Sequence, residues 1–367
     1  MQGSVSVGIT RSAVDKKKQP TTTHKGEENQ IDFVLAWVDG SDPDWQSRKA
    51  QIVAGASADE GVFRYREWGL LPYWFRGVEM FAPWVRKIHL ICDQEPPEWL
   101  NTDHPKLHIV RHEDYLPDAY RPAFSSHPIE LNLHRIPELS EQFVFFNDDM
   151  YLLSARSPED FFRHGLPVDN AVMSPVSTTD LKMVECGNKI VYYLYNDVQY
   201  LNRRYDFHSC IRKHPGKWLS PVYGKYLPQN LMLLPWPRFL GFRVEHLAQP
   251  FLKRTFEKAW ENDGDILDAT SRHHLRDDHD VNQWLLRMFQ LAEGNFIPGK
   301  PVKKASFMLT EDNEEIIRVI TEQRLPMICV NDGKISKDAF PRVQAEICDA
   351  FAQILPERSR FERPLQK

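Results

Sequence analysis

Glycine loops that cradle phosphates are missing from this 367-residue chain. Neither G-x-G-x-x-G nor G-x-x-x-x-G-K-[ST] occurs, and H-E-x-x-H and G-x-S-x-G are absent too. Those absences remove P-loop kinases, Rossmann dehydrogenases, zincins and nucleophile-elbow hydrolases from the field. Cysteine is scarce: Cys92, Cys186, Cys210, Cys329 and Cys348 are widely spaced, odd in number and form no C-x-x-C pair. A C-x-x-C zinc site is thereby excluded, a disulfide framework is disfavoured, and reduced cytosolic thiols are expected. The formal net charge is -5, without the basic excess of a general nucleic-acid binder. No apolar run reaches the roughly 18 residues of a membrane span. The opening MQGSVSVGITRSAV is too polar for a signal-peptide core. The expectation is a cytoplasmic protein with at most peripheral membrane contact.

What is abundant is proline and aromatic side chains: 26 Pro, 10 Trp and 21 Phe. They suit a sugar-binding cleft and a large loop-rich core equally well. Residues 1–29 are polar, carry the basic run Lys16-Lys17-Lys18, and read as a disordered tail before a single folded domain over 30–367. Four short apolar runs then predict strands at 31–38, 87–92, 107–110 and 143–146. Near-helical spacing over 64–81 predicts a helix, with Pro72 as an expected break. In 281–292, Val281, Trp284, Leu285, Met288, Phe289 and Ala292 fall on one helical face, with Asp277 or Asp278 as the expected cap, and 340–354 repeats the pattern more weakly.

Short strands alternating with helices predict an α/β fold: a mainly parallel twisted sheet with flanking helices over 30–165 and a more helical, loop-rich part over 166–367. In parallel sheets ligands bind beyond the carboxyl ends of the strands. Here those ends carry Asp39 and Asp42, Asp93, Glu113 and Asp114, and Asn147, Asp148 and Asp149. This clustering of acids is the strongest physical pointer in the chain. Asp39-Gly40-Ser41-Asp42 offers a glycine for close backbone approach and a hydroxyl for phosphate, or else an ordinary turn. Asp148-Asp149 offers carboxylates for a divalent cation or a general base, or else a solvated loop. Ser126 is the expected cap of a short helix containing Glu130. Arg276 and Asp280, four apart before the 281–292 helix, are expected to share a face as a phosphoryl clamp or a surface ion pair.

These segments resemble the Stealth proteins, the hexose-1-phosphate transferases of microbial capsule and exopolysaccharide synthesis. That family includes the catalytic region of the lysosomal-enzyme N-acetylglucosamine-1-phosphotransferase. The resemblance runs in order through IDFVLAWVDGSDP (31–43), the long stretch 63–101 with 124–152, GFRVEHLAQPFLKRTFEKAW (241–260) with 270–298, and MICVNDGKISKDAF (327–340). The chain departs from a commoner pattern at Trp68-Gly69 and Leu71-Pro72, which bears on helix geometry, and after Asn331-Asp332, where a structural role is open.

The resemblance implies a GT-A-like catalytic domain that moves a sugar-1-phosphate from a UDP-sugar to a hydroxyl of an acceptor glycan, soluble or lipid-linked, releasing UMP. It implies Mg²⁺ or Mn²⁺, with Asp149 and Asp280 as ligands. It places Asp39, Gly40, Ser41, Asp42, Arg64, Arg66 and Asn147 at the donor, and Asp149, His246 and Arg276 at the reacting centre. His246 is the expected base and Arg276 the expected stabiliser of phosphoryl charge. A glycosyltransferase releasing UDP and a non-catalytic carbohydrate-binding protein are the alternatives. The sequence leaves the sugar, the acceptor and the oligomeric state open.

Overall fold

The computed structural model describes residues 30–53, 65–176, 189–302, 304–333 and 335–364. The tail 1–29, Arg64 and Cys186 lie outside the described residues. The strands are β1 Ile31–Ala36, β2 Ile88–Ile91, β3 Leu107–Val110, β4 Gln142–Asn147, β5 Met150–Leu152, β6 Phe162–Arg163, β7 Leu166–Asp169, β8 Gln249–Leu252, β9 Ile297–Pro298, β10 Ser306–Met308 and β11 Met327–Asn331.

The central sheet has the order β3-β2-β1-β4-β8. Its first four strands are parallel and β8 runs antiparallel to β4. The four strands expected from the sequence therefore form one parallel block, with all carboxyl ends on one edge. Smaller sheets are β10-β11-β5 and β6-β7-β9.

The apolar runs are continuous because both faces of the sheet are covered. Ile31, Phe33 and Leu35 join one core with Leu90, Phe146, helix Leu71–Phe81 and helix Phe340–Ile354. Val34, Ile91, Phe143 and Phe145 face the opposite way, into helices Lys253–Ser271 and Gln283–Ala292. Each fully buried Phe stabilises by roughly 1.5–3 kcal/mol. Asp32 is the polar exception in β1; it is fully buried and accepts from Arg86 Nε at 2.7 Å and the Ser140 amide at 2.9 Å.

The structure corrects three local expectations. The helix expected over 64–81 starts at Leu71 with Pro72 in its opening turn, so Pro72 begins the helix instead of breaking it, and Trp68 lies outside. Helix Ser126–Leu131 is capped by Ser125, whose Oγ accepts the His127 amide at 3.2 Å, and not by Ser126. Helix Gln283–Ala292 is capped by Asn282, which accepts the Trp284 amide at 2.9 Å, in place of Asp277 or Asp278. All ten of its residues are buried, so its polar side also faces protein. Among the described residues no helix is long and apolar enough to cross a membrane.

Candidate active site

The parallel register sets Asn147 beside Ala36, so the chain leaving β4 emerges next to the chain leaving β1. β11 pairs antiparallel with β5, aligns Cys329 with Met150, and donates the Val330 amide to the Asp149 carbonyl at 2.8 Å. The segment entering β8 supplies His246. Three distant stretches thus converge at one strand edge. His246 Nε2 lies 3.0 Å from Asn147 Nδ2, and its Nδ1 lies 3.6 Å from Asp149 Oδ2. The Cys329 thiol sits 3.3 Å from both His246 Nδ1 and Asp149 Oδ2. Asn331 Nδ2 approaches that sulfur at 3.2 Å. The His246 side chain remains 37% exposed, so its ring borders both protein and solvent. Asn147, Asp149 and His246 are therefore brought together; Cys329 is the member that sequence reasoning missed, its only signal being its place two residues before Asn331-Asp332.

Several carboxylates share this edge. Asp148 is exposed; partial desolvation at the strand end and the Asp149 and Glu67 carboxylates beside it raise its carboxyl above the usual range. Glu67, also unforeseen, is raised by burial and by Asp39, while accepting the Gly69 amide at 2.6 Å and Trp37 Nε1 at 3.3 Å. Burial lifts the Asp332 carboxyl to about 6 despite Arg66, whose Nε stands 3.6 Å away. Arg66 also lies over the Phe340 ring. The Cys329 thiol is held well above its ordinary value by burial and by Asp149. Asp149 Oδ1 is closed off from solvent and takes no hydrogen bond among the described residues. A buried carboxylate oxygen without a donor fits a divalent cation, which prefers oxygen ligands.

The Asp39–Asp42 loop is built largely from its own polar groups. Gln94, missed from sequence, brackets Asp39 by donating to its carbonyl and accepting its amide, both at 2.7 Å. Asp39 Oδ1 accepts from the Ser41 amide at 2.8 Å and the Ser41 hydroxyl at 2.6 Å. Asp42 Oδ1 accepts the Trp45 amide at 2.6 Å and caps helix Pro43–Val53. Gly40 is required by close approach: a Cβ there would stand 1.9 Å from the Tyr65 carbonyl oxygen. Gly40→Ala must therefore displace the loop or Tyr65. A shift near 1 Å at a reacting site can cost about 10²-fold. Steady-state kinetics of Gly40→Ala should show a kcat/KM loss of that order, with the circular dichroism spectrum retained; an unchanged kcat/KM would remove the loop from the site.

Arg276 and Asp280 do not lie on a helix, because the helical segment begins only at Gln283. The expected shared helical face is corrected accordingly. Arg276 Nη2 donates to Ser126 Oγ at 3.1 Å, while its Nε is closed off without a partner among the described residues. Asp280 is fully buried and is engaged by His273 Nδ1 at 2.6 Å, His127 Nδ1 at 2.8 Å and the Asp277 amide at 3.0 Å. Asp149 and Asp280 thus belong to different clusters. A continuous path still links the loop after β1 to Arg276: Gly40 abuts Tyr65, and Tyr65 Oη donates to the Phe124 carbonyl at 3.0 Å, two residues before Ser126.

Residues 29–55 match Stealth protein CR1, conserved region 1, and residues 64–168 match Stealth protein CR2, conserved region 2. The chain is 36% identical over 340 residues to a capsular polysaccharide phosphotransferase, WcwK, of Streptococcus pneumoniae, covering 91% of this chain and 98% of that one. It is 37% identical over 340 residues to the receptor polysaccharide phosphotransferase WefC of Streptococcus oralis, covering 91% and 99%. It is 34% identical over 334 residues to the exopolysaccharide phosphotransferase cps2G of Lactiplantibacillus plantarum, covering 91% and 96%.

Proposed function

The chain belongs to the Stealth family and is a polysaccharide phosphotransferase enzyme, and from that premise we propose the reaction, the donor and the residues that carry it. The reaction is transfer of hexose-1-phosphate or N-acetylhexosamine-1-phosphate from a UDP-sugar to a hydroxyl of an acceptor glycan in capsule or exopolysaccharide synthesis. The observation that carries the reading is the His246–Asp149–Asn147 constellation at the carboxyl edge of the parallel sheet.

Phosphoryl transfer asks for positioning and charge neutralisation more than covalent help. The acceptor oxygen attacks the β-phosphorus of the donor. The bond from that phosphorus to the bridging oxygen breaks, and UMP leaves. The sugar's anomeric C–O bond stays intact. His246 Nε2, displacing its contact with Asn147 Nδ2, takes the hydroxyl proton. Asp149 Oδ2, facing Nδ1, supports the resulting imidazolium. Arg276, anchored on Ser126, stabilises charge on the moving phosphoryl group. Asp39, Gly40, Ser41 and Asp42 shape the diphosphate site, with Arg66 and Asn147 at its border; Arg64 is assigned there by resemblance alone. Asp149 would hold Mg²⁺ or Mn²⁺ through Oδ1. Such an ion neutralises diphosphate charge. Asp280, already engaged by three donors, fits that ion less well and serves instead to fix His127 and His273. We place this work at the cytoplasmic face of the membrane, on a lipid-linked or soluble glycan.

The test is product analysis with a panel of UDP-sugars, Mg²⁺ and a capsule-type oligosaccharide. UMP release with a new phosphodiester phosphorus resonance is the expected result. UDP release with no phosphorus in the glycan would make the protein a glycosyltransferase and overturn the reading.

A further inference from the structure

Asp149 Oδ2, His246 Nδ1 and Cys329 Sγ present one carboxylate oxygen, one imidazole nitrogen and one sulfur to a common point. That is the donor set of a borderline-soft ion such as Zn²⁺, and not of Mg²⁺. The distances agree with the chemistry. Tetrahedral zinc with bonds of about 2.3 Å to sulfur and about 2.0–2.2 Å to nitrogen and oxygen requires edges of about 3.5–3.7 Å to sulfur and about 3.3–3.5 Å between nitrogen and oxygen, so each edge found here needs a shift of only about 0.2 Å. The three observed edges are 3.3 Å from sulfur to nitrogen, 3.3 Å from sulfur to oxygen and 3.6 Å from nitrogen to oxygen. The ligands come from the loop after β4, the segment before β8, and β11, so the sheets themselves fix the geometry. The partial exposure of His246 and Asp149 leaves the cluster reachable by an ion from solvent.

The geometry points to a zinc site at Asp149–His246–Cys329 whose occupation switches the transferase off. Binding forms Zn–S, Zn–N and Zn–O bonds, and the Cys329 proton passes to solvent. Ligation at Nδ1 leaves the imidazole's remaining proton on Nε2, which then has no lone pair with which to accept the acceptor's hydroxyl proton. This inhibitory effect rests on the base role of His246 proposed above; the metal site itself does not.

The full-length protein, stripped of metal, is titrated with Co²⁺ as a spectroscopic probe and then with Zn²⁺. The expected result at one equivalent of Co²⁺ is a tetrahedral visible spectrum with a thiolate-to-cobalt charge-transfer band, both removed by one equivalent of Zn²⁺. The band should vanish in Cys329→Ser and persist in Cys348→Ser, and Zn²⁺ affinity should fall at least about 100-fold in Cys329→Ser. If circular dichroism shows Cys329→Ser to be unfolded, His246→Gln, altered at a partly exposed ring, must weaken Zn²⁺ binding by a similar factor. In the transfer assay, one equivalent of Zn²⁺ should lower wild-type activity at least about tenfold, with recovery on chelation, and Cys329→Ser should lose that sensitivity. No charge-transfer band, or one that survives Cys329→Ser, overturns the site. A protein that shows the band but transfers no sugar phosphate with any donor leaves the site standing and counts against the transferase reading.

Discussion

His246→Ala is expected to lower kcat by about 10²–10⁴-fold with the fold intact. The residue precedes β8 and is 37% exposed, so its removal opens no cavity in the core. A base that takes the acceptor proton acts only as the phosphorus–oxygen bond forms. Its loss should lower kcat and kcat/KM together and leave KM for the donor nearly unchanged. His273 is the control, because buried Asp280 holds its Nδ1 and its Nε2 takes no hydrogen bond among the described residues, an arrangement able to orient a base. His273→Ala should cost far less than His246→Ala. The reverse ranking, or a His246→Ala enzyme within about threefold of wild type, would move the base from His246 to the Asp280-held histidine.

The parallel block was legible because each of its strands is a compact apolar run ended by polar residues, and β3 falls where LHIV stands in the sequence. Those same endings revealed Asp39, Asn147 and Asp149, since the carboxyl edge is where a parallel sheet offers unpaired backbone and charge. The edge strand β8 was not legible: Gln249-Pro250-Phe251-Leu252 has no alternation, and its proline is tolerated only because the strand lies at the sheet edge. β5 and β10 are three residues long, too short for any period to show. Cys329 was hidden with them, because its place beside His246 comes from long-range pairing of β11 with β5. Pro72 and Asn282 show a different limit. A proline in an apolar run can start a helix or break it, and a helix buried on every side has no polar face to mark its start.

Arg287→Ala is expected to destabilise the protein by about 3–5 kcal/mol, a large fraction of a typical domain's 5–15 kcal/mol. Arg287 lies on the buried helix Gln283–Ala292 and is 2% exposed. Its Nε and Nη2 donate to the two Asp169 oxygens at 2.8 Å each, and Nη2 also donates to the Asn170 carbonyl at 2.9 Å. Gln249 Nε2 donates to the same carboxylate at 3.0 Å, which ties the start of β8 to the end of β7. Removing the guanidinium leaves a carboxylate in the interior with only neutral donors. That uncompensated charge, more than the lost attraction, is what destabilises. The urea midpoint of Arg287→Ala should therefore fall sharply. The double variant Asp169→Leu/Arg287→Met, which takes both charges out of the interior, should recover most of the loss. Gln249 follows His246 by three residues, so loosening this pair also loosens the strand that carries the base. Where Arg287→Ala still folds, kcat should drop with it, and the double variant should restore stability more fully than turnover. If Arg287→Ala unfolds within about 1 kcal/mol of wild type, water reaches the pair, and the frame behind His246 does not depend on it.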